Sequence, residues 1–249
     1  MTVAALCDIH GNLPALDAVL ADPAFARADV VVIGGDVAAG PLPAEVLDRL
    51  AQLELPIRWV RGNADREVVA SFDRGDTDAS VHPDDPAARA DAYTAGRITR
   101  AQRDLLAGFE DVVSLEGALF CHGSPRDDNE IITALTPAER LAPLLDGVDE
   151  ALVVCGHTHH QFELRAGEQR VVNAGSVGMP YQGDAAAFWL LVEGGEHELR
   201  RTDIDVDAVA AAIRASGYPD AEHLIEMCLV EPVEAAYVAR LFEDRAQSG

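Results

Sequence analysis

The segment Val3-Ala4-Ala5-Leu6-Cys7-Asp8-Ile9-His10 joins a short apolar run directly to an aspartate and a histidine. An apolar run of this length predicts a buried strand. The aspartate and the histidine are two residues apart, so they can converge on one metal ion where that strand ends. Further short apolar runs occur along the chain, and most of them stop at a residue that binds metals. They span residues 30–33, 57–60, 118–121 and 152–155.

The polar residues that follow these runs form an ordered series of candidate metal ligands. The series is Asp8 and His10, Asp36 after Gly35, Asn63 after Gly62, His122, and finally His157 and His159 in Gly156-His157-Thr158-His159. Carboxylate, imidazole and amide oxygen together suit Mn²⁺, Fe or Zn²⁺, whereas a structural zinc site normally uses thiolates. The series therefore predicts a hydrolase with two metal ions.

Helical patterns separate the first strands. One covers residues 13–21, with Asn12 as its N-cap, and another covers residues 44–53 after Pro43. Strand and helix in alternation predict right-handed crossovers and a largely parallel sheet, whose ligand site lies beyond the carboxyl ends of the strands. From residue 161 the period becomes strand-like, which predicts a second, more antiparallel sheet stacked on the first.

The order D-x-H, G-D, G-N-x-D, H and G-H-x-H resembles the calcineurin-like metallophosphoesterase superfamily over residues 2–203. Each motif alone is common, and it is their order at predicted strand ends that carries the resemblance. Residues 121–126 (Cys-His-Gly-Ser-Pro-Arg) and 172–177 (Val-Asn-Ala-Gly-Ser-Val) are similar to the small prokaryotic phosphodiesterase branch. The protein phosphatase branch fits less well, because its Asp-Arg-Gly is missing after Gly35-Asp36. The resemblance implies an α/β fold, a four-layer α/β-β/α sandwich with a dinuclear metal site at the carboxyl edge of the strands.

The resemblance also implies a role for each ligand position. One ion would be held by Asp8, His10, Asp36 and His159, and the other by Asp36, Asn63, His122 and His157. Among these, Asp36, Asn63 and His122 are the predicted catalytic residues. The implied cofactor is a pair of divalent ions, with Mn²⁺ preferred over Fe, Zn²⁺ or Ni²⁺, which would deliver a bridging hydroxide to a phosphoester.

Three residues are candidates for binding the substrate. Asn12 precedes the first helix, whose amino terminus favours an anion. Arg66 and Arg126 can clamp a phosphate, although each could equally form a surface ion pair of little energetic value. Asn173 and Ser176 lie in a glycine-containing turn, where they either support the metal site or only shape that turn.

One departure from the superfamily bears on the reaction. The usual G-N-H-[DE] is here Gly62-Asn63-Ala64-Asp65, so the histidine that in relatives helps to stabilise the transition state or to protonate the leaving group is absent. This favours a phosphodiesterase acting on small nucleotide-like or cyclic substrates. One alternative is a phosphomonoesterase or phosphoprotein phosphatase, with a proton donor such as His82. Another is a metal-binding scaffold without turnover, as in a retromer subunit, although all seven ligand positions are filled here.

The predicted organisation is a catalytic domain at residues 1–204 and an acidic helical extension at residues 205–249. The extension, which the superfamily pattern does not require, is expected to pack on the domain or on a partner with a solvated charged face. Residues 66–92 predict a helix start followed by an exposed loop or lid. Further helices are predicted at residues 99–109 and 136–145.

The composition of the chain disfavours several classes of function. The 249 residues include 43 acidic and 19 basic side chains, for a net charge of −24, and lysine is absent. Such a negative field disfavours long nucleic acids as partners. No apolar run is long enough to span a membrane and no secretion signal is evident, so we expect a cytoplasmic protein with a small phosphoester substrate. The spacing of the four cysteines predicts no disulfide. The sequence leaves open whether the protein is a homo-oligomer.

Overall fold

The computed structural model describes residues 1–248, and its central strand is β1 (Thr2–Leu6), which is buried throughout. In the first sheet β1 pairs in parallel with β2 (Val30–Ile33), which pairs in parallel with β3 (Ile57–Trp59). On its other side β1 pairs antiparallel with β9 (Ala186–Glu193), and β10 (Glu196–Asp203) closes that edge. The order is β10-β9-β1-β2-β3.

The second sheet contains the strands between residues 113 and 173. They are β4 (Val113–Leu115), β5 (Ala118–Phe120), β6 (Leu152–Cys155), β7 (Phe162–Ala166) and β8 (Gln169–Asn173). Their order is β4-β5-β6-β8-β7. The three inner strands are parallel, and β4 and β7 are antiparallel to their neighbours at the two edges.

The division of strands between the sheets differs from the sequence prediction. We expected every strand after residue 161 in the second sheet, yet β9 and β10 return to the first sheet, while β5 and β6 belong to the second. Seven of the eight residues of β9 are buried, because it lies inside its sheet with both faces covered. The local pattern identifies a strand, but it does not identify the partner with which that strand pairs.

Alternate residues of β1 point to different layers, as the strand period of two requires. Ala4 and Leu6 pack with the helices outside the first sheet, including α1 (Leu13–Ala21) and α2 (Pro43–Ala51). Val3 and Ala5 pack against the second sheet. A separate cluster covers the outer face of the second sheet with α6 (Ala138–Leu141). The result is the expected four-layer α/β-β/α sandwich.

Segment 66–92 contains more helix than we predicted. The helix α3 (Asn63–Arg74) begins at the third ligand motif, and α4 (Pro86–Ala95) forms where the sequence predicted a loop. Asp85 caps α4 by accepting from the backbone N–H of Ala88 at 3.1 Å, and Pro86 occupies its first turn, where a missing N–H costs nothing. The next helix, α5 (Arg100–Ala107), starts at a capping box.

The C-terminal extension contains three helices: α7 (Val206–Ser216), α8 (Ala221–Ile225), continued by a π-helical turn at Glu226–Val230, and α9 (Ala235–Ser248). Most charged side chains of the extension are exposed, whereas Glu243 is buried and accepts from Thr133 Oγ1 at 2.8 Å and Arg140 Nη2 at 2.7 Å. The extension therefore packs against the remainder of the chain, while the boundary at residue 204 stays a prediction. Within residues 1–248, no helix combines the length and the apolar character needed to cross a bilayer.

Candidate metal centre

The seven predicted ligands lie where the carboxyl ends of the two sheets meet. Asp8 and His10 follow β1, Asp36 follows β2, and Asn63 begins α3 after β3. The other three come from the second sheet, where His122 follows β5, and His157 and His159 follow β6. Because these parallel strands end at one edge, residues more than a hundred positions apart in the chain are brought together.

The backbone at this edge adopts a left-handed conformation that residues other than glycine rarely take. Asp8, His10, Asp36, His157 and His159 have φ angles of 54°, 47°, 52°, 67° and 58°. Left-handed backbone costs about 1–3 kcal/mol for a residue other than glycine and clusters at functional sites. Elsewhere in residues 1–248, the only other such residue is Glu116, in the hairpin turn between β4 and β5. Backbone N–H groups of Asp8 and His10 donate to the carbonyls of Gly35 and Asp36, each at 3.0 Å, and hold the strained turns.

The ligand atoms form two groups that share Asp36. The first contains Asp8, His10, Asp36 and His159, and the second contains Asp36, His122 and His157, with the atoms of each group within 4.8 Å of one another. In the first, His159 Nε2 lies 3.2 Å from Asp8 Oδ1. In the second, His122 Nε2 lies 3.4 Å from Asp36 Oδ2.

Backbone carbonyls orient three of the imidazoles. The Nδ1 atoms of His10, His122 and His159 lie 2.9, 2.8 and 2.8 Å from the carbonyl oxygens of Ala39, Gly34 and Met179, to which each Nδ1–H can donate. A ring whose Nδ1 donates in this way presents Nε2 to the centre, as metal-binding histidines commonly do. His10 Nε2 and His159 Nε2 lie 3.2 Å apart, so two ring nitrogens face one point.

Two buried polar atoms at the centre have no hydrogen-bond partner in the described part of the chain. They are Asn63 Oδ1 and His122 Nε2. A buried polar atom normally has a partner, and an unsatisfied one calls for an explanation such as an ion. Both atoms belong to predicted ligands, so the donor set fits divalent cations.

The charges of the cluster also suit a cation. Burial acts to raise the pKa of Asp36, but the imidazoles of His122, His10 and His157 outweigh it and hold that pKa below its usual range. Burial and then the charge of His122 lower the pKa of His157 to about 4. At neutral pH Asp36 is therefore an ionised carboxylate and His157 a neutral imidazole, which are the forms that bind metal.

Residues outside the ligand set position it. Asp65 accepts from the backbone N–H groups of Asp36, Val37 and Gly62 at 2.9, 3.0 and 3.0 Å, so it joins the Asp36 turn to the start of α3. Ser176 Oγ donates to the carbonyl of Asp8 at 2.8 Å. Asn173 Nδ2 donates to Thr158 Oγ1 at 3.1 Å. Both side chains also accept a bond from the backbone of their own segment, Asn173 from Gly175 N and Ser176 from Met179 N, so both roles considered from the sequence are compatible with the structure.

A comparison with protein families matches residues 1–194 to the calcineurin-like phosphoesterase superfamily domain. The chain belongs to this superfamily. Its phosphoesterase fold is similar to that of a metallophosphoesterase from Sphaerobacter thermophilus, at 26% identity and a TM-score of 0.76, over 94% of this chain and 99% of that one. It also resembles a hypothetical protein from Pyrococcus horikoshii, at 19% identity and a TM-score of 0.77, over 91% and 97% of the two chains. Among curated proteins, none matches.

The superfamily comprises metal-dependent phosphoester hydrolases, and the buried Asp and His groups of this phosphoesterase are able to bind such metals.

The three residues predicted to bind substrate already have partners within the protein. Asn12 is buried with both side-chain polar atoms occupied, since Oδ1 accepts from Ala15 N and Nδ2 donates to Gly178 O. Arg66 pairs with Asp128 and Arg126 with Glu130. Both arginines line a separate surface depression rather than the cavity lined by five of the predicted ligands, and their contact with substrate stays a prediction.

The cavity at the phosphoesterase metal centre has a volume of about 410 Å³. Its floor contains Asp36, Asn63 and three of the ligand histidines, and Ala64 lies beside them. Most of the remaining lining comes from α4 and from the C-terminal extension, including Asp91 and His223, and the rest is Ala39, Met179 and Tyr181. Sequence reasoning missed Asp91 and His223, because neither belongs to a motif and only the fold brings them to the ligands.

Proposed function

We propose that the protein is a dinuclear phosphodiesterase of small nucleotide-like or cyclic substrates. One ion would be held by Asp8, His10, Asp36 and His159, and the other by Asp36, Asn63, His122 and His157. The observation that carries this proposal is the pair of buried ligand groups sharing Asp36, with unsatisfied atoms on Asn63 and His122 at the same place. Mn²⁺ is the proposed native metal, ahead of Fe, Zn²⁺ and Ni²⁺, because oxygen and imidazole ligands dominate.

Divalent ions at such a centre supply a hydroxide nucleophile near neutral pH and neutralise charge on the phosphate. The chain's own residues contribute fixed geometry. Backbone carbonyls hold the rings of His10, His122 and His159, and the carboxylate of Asp65 holds the turn of Asp36. Preorganised ligands of this kind need no rearrangement at the moment of reaction.

The preference for diesters rests on the cavity beside the ligands. Ala64 lines it at the position where relatives carry a histidine. His82, the substitute proton donor considered from the sequence, instead pairs with Asp76 at 2.9 Å and does not line the cavity. A general acid contributes about 10²–10⁴-fold where the leaving group needs a proton. Its loss favours substrates whose leaving group departs unaided.

A substrate panel tests this proposal. We expect Mn²⁺-loaded protein to hydrolyse aryl phosphodiesters, strained cyclic diesters and phosphoanhydrides with higher kcat/KM than simple alkyl monoesters. The measurement is kcat/KM for each class at one metal loading. A protein with metal bound and no turnover on any class would instead support the scaffold alternative.

We also propose where the enzyme is located and how large its substrate is. All four cysteines are buried free thiols, and burial raises the pKa of Cys228 to about 12, so it is unreactive near neutral pH. Buried free thiols are compatible with a reducing compartment, and we propose a cytoplasmic location. The net charge of −24 supports a small substrate rather than long DNA or RNA, because few phosphates could be neutralised.

A further inference from the structure

The cavity at the metal centre extends well beyond the ligands. One wall is formed by α4, with Ala87 and Ala90, and another by the C-terminal extension, with Leu224, Met227 and Phe242. A volume of about 410 Å³ is within the range of sites that enclose a small organic ligand. These side chains are apolar, whereas a phosphate group alone needs no apolar wall.

An ion pair joins the two walls. Arg89 on α4 donates from Nε and Nη2 to the two carboxylate oxygens of Asp220, each at 2.9 Å. Paired contacts of this kind fix orientation as well as distance. The cavity is therefore held in shape by residues on both of its walls, and a preformed site spends less free energy on ordering when it binds a ligand.

The carboxyl group of Asp91 on the cavity wall has no hydrogen-bond partner among the described residues. Asp91 is only 9% exposed, lines the cavity, and makes no hydrogen bond within the described residues 1–248. A buried carboxyl group without a hydrogen bond is costly. Its position on the wall leaves the carboxyl group accessible to a ligand that enters the cavity.

We propose that this cavity binds the nucleobase of a nucleotide-containing phosphodiester, with the base between α4 and the C-terminal extension and its polar edge hydrogen-bonded to Asp91. The inference rests on the proposed function, because it places the phosphate of the same substrate at the metal centre. It makes residues 205–248 a specificity element of the enzyme.

The chemistry of the walls favours a base over other organic groups. A base has apolar faces, which suit Met227 and Phe242, because thioether and aromatic side chains make favourable contacts with rings. It also has an edge of donors and acceptors, which a hydrocarbon chain lacks. A carboxylate accepts two hydrogen bonds from such an edge, and a carboxylic acid both donates and accepts. Burial, followed by the charge of Asp36, raises the pKa of Asp91 to about 8, which adds the donor at neutral pH.

Two measurements test the inference independently of one another. In the first, calorimetry follows binding of adenosine, guanosine, cytidine and uridine to chelator-stripped protein, with methyl riboside as the baseless control. In the second, kcat/KM of the Mn²⁺-loaded protein is compared for nucleoside 2′,3′-cyclic phosphates and methyl riboside 2,3-cyclic phosphate, which shares the strained diester. We expect saturable binding of at least one nucleoside, and a kinetic preference of at least about tenfold for the same base.

The variant Asp91→Leu keeps the approximate size of the side chain and removes its hydrogen bonding. It should reduce both the binding and the kinetic preference about tenfold or more. Asp84→Leu makes the same replacement in the exposed turn before α4, outside the cavity, and should behave as wild type. Ala90→Phe fills the cavity and should abolish nucleoside binding.

The outcomes separate the inference from the proposed function. If stripped protein binds nucleosides no better than methyl riboside, or if Asp91→Leu binds them as well as wild type, the base site is wrong even when diesters are hydrolysed. If nucleosides bind in the expected way and no diester is hydrolysed, the base site stands and the phosphodiesterase assignment fails.

Discussion

Replacing Asp36 with asparagine is expected to lower kcat for an aryl phosphodiester at least about a thousandfold. Asp36 is the one residue common to both ligand groups, so its loss weakens both proposed ion sites at once. Metal ions contribute several kcal/mol of transition-state stabilisation, and each 1.36 kcal/mol corresponds to a tenfold change in rate. The measurement is kcat at saturating Mn²⁺, together with the metal content of the variant.

Stability should change much less than activity in Asp36→Asn. Asparagine can keep the hydrogen bond that Asp36 Oδ1 accepts from Ala64 N at 2.8 Å, so the turn retains its shape. The matched control is Asp76→Asn, which removes a carboxylate paired with His82 outside the cavity and should keep wild-type kcat. A folded Asp36→Asn protein with more than a tenth of wild-type activity would contradict the shared-ligand assignment.

Replacing Ala64 with histidine is expected to raise activity on alkyl phosphomonoesters. General acids contribute about 10²–10⁴-fold when the leaving group needs a proton, and Ala64 lies on the cavity wall beside Asn63. Asp65 already accepts three backbone N–H bonds, so orienting the new imidazole falls to another group. We therefore expect the monoester to diester ratio of kcat/KM to rise at least about tenfold, below the full contribution of a well-placed acid.

The control for this substitution is Ala64→Asn, which fills similar space without supplying a proton near neutral pH. It should leave the ratio of kcat/KM unchanged at matched metal loading. A wild-type enzyme that already prefers alkyl monoesters would show that another cavity residue supplies the proton. Asp91 and His223 line the cavity and would be the candidates, and the phosphatase alternative would then replace the phosphodiesterase proposal.

The common location of the seven predicted ligands was predictable from sequence because its signals are local. Each motif follows a short apolar strand, and parallel strands deliver their carboxyl ends to one edge, so Asp8 and Asp36 needed no knowledge of the whole fold. The positioning role of Asp65 was also available in principle, since a carboxylate three residues after Gly62 matches a helix-capping pattern. Its bonds to Asp36 and Val37, however, join residues 29 and 28 positions apart, and no local pattern indicates them.

The walls of the cavity were not predictable, because they depend on contacts between distant segments. Asp91 lies in a segment whose Asp, Pro and Ala composition predicted a loop, and the capping of α4 by Asp85 became clear only in the structure. The extension has a helical, acidic sequence pattern, but that pattern does not identify the segment on which the extension packs. Its docking depends on side chains such as Glu243, which pairs with Arg140 more than a hundred residues earlier. Contacts between residues so far apart in the chain produce no periodic pattern from which they could be predicted.

The central claim is that two metal ions held by these seven residues perform phosphodiester hydrolysis. The most direct measurement strips the protein with a chelator, reloads it with Mn²⁺ in steps, and records bound metal and aryl diester hydrolysis on the same samples. We predict that stripped protein is inactive and that activity returns as the content approaches two ions per chain. Stripped protein that hydrolysed the diester as fast as reloaded protein would contradict the claim.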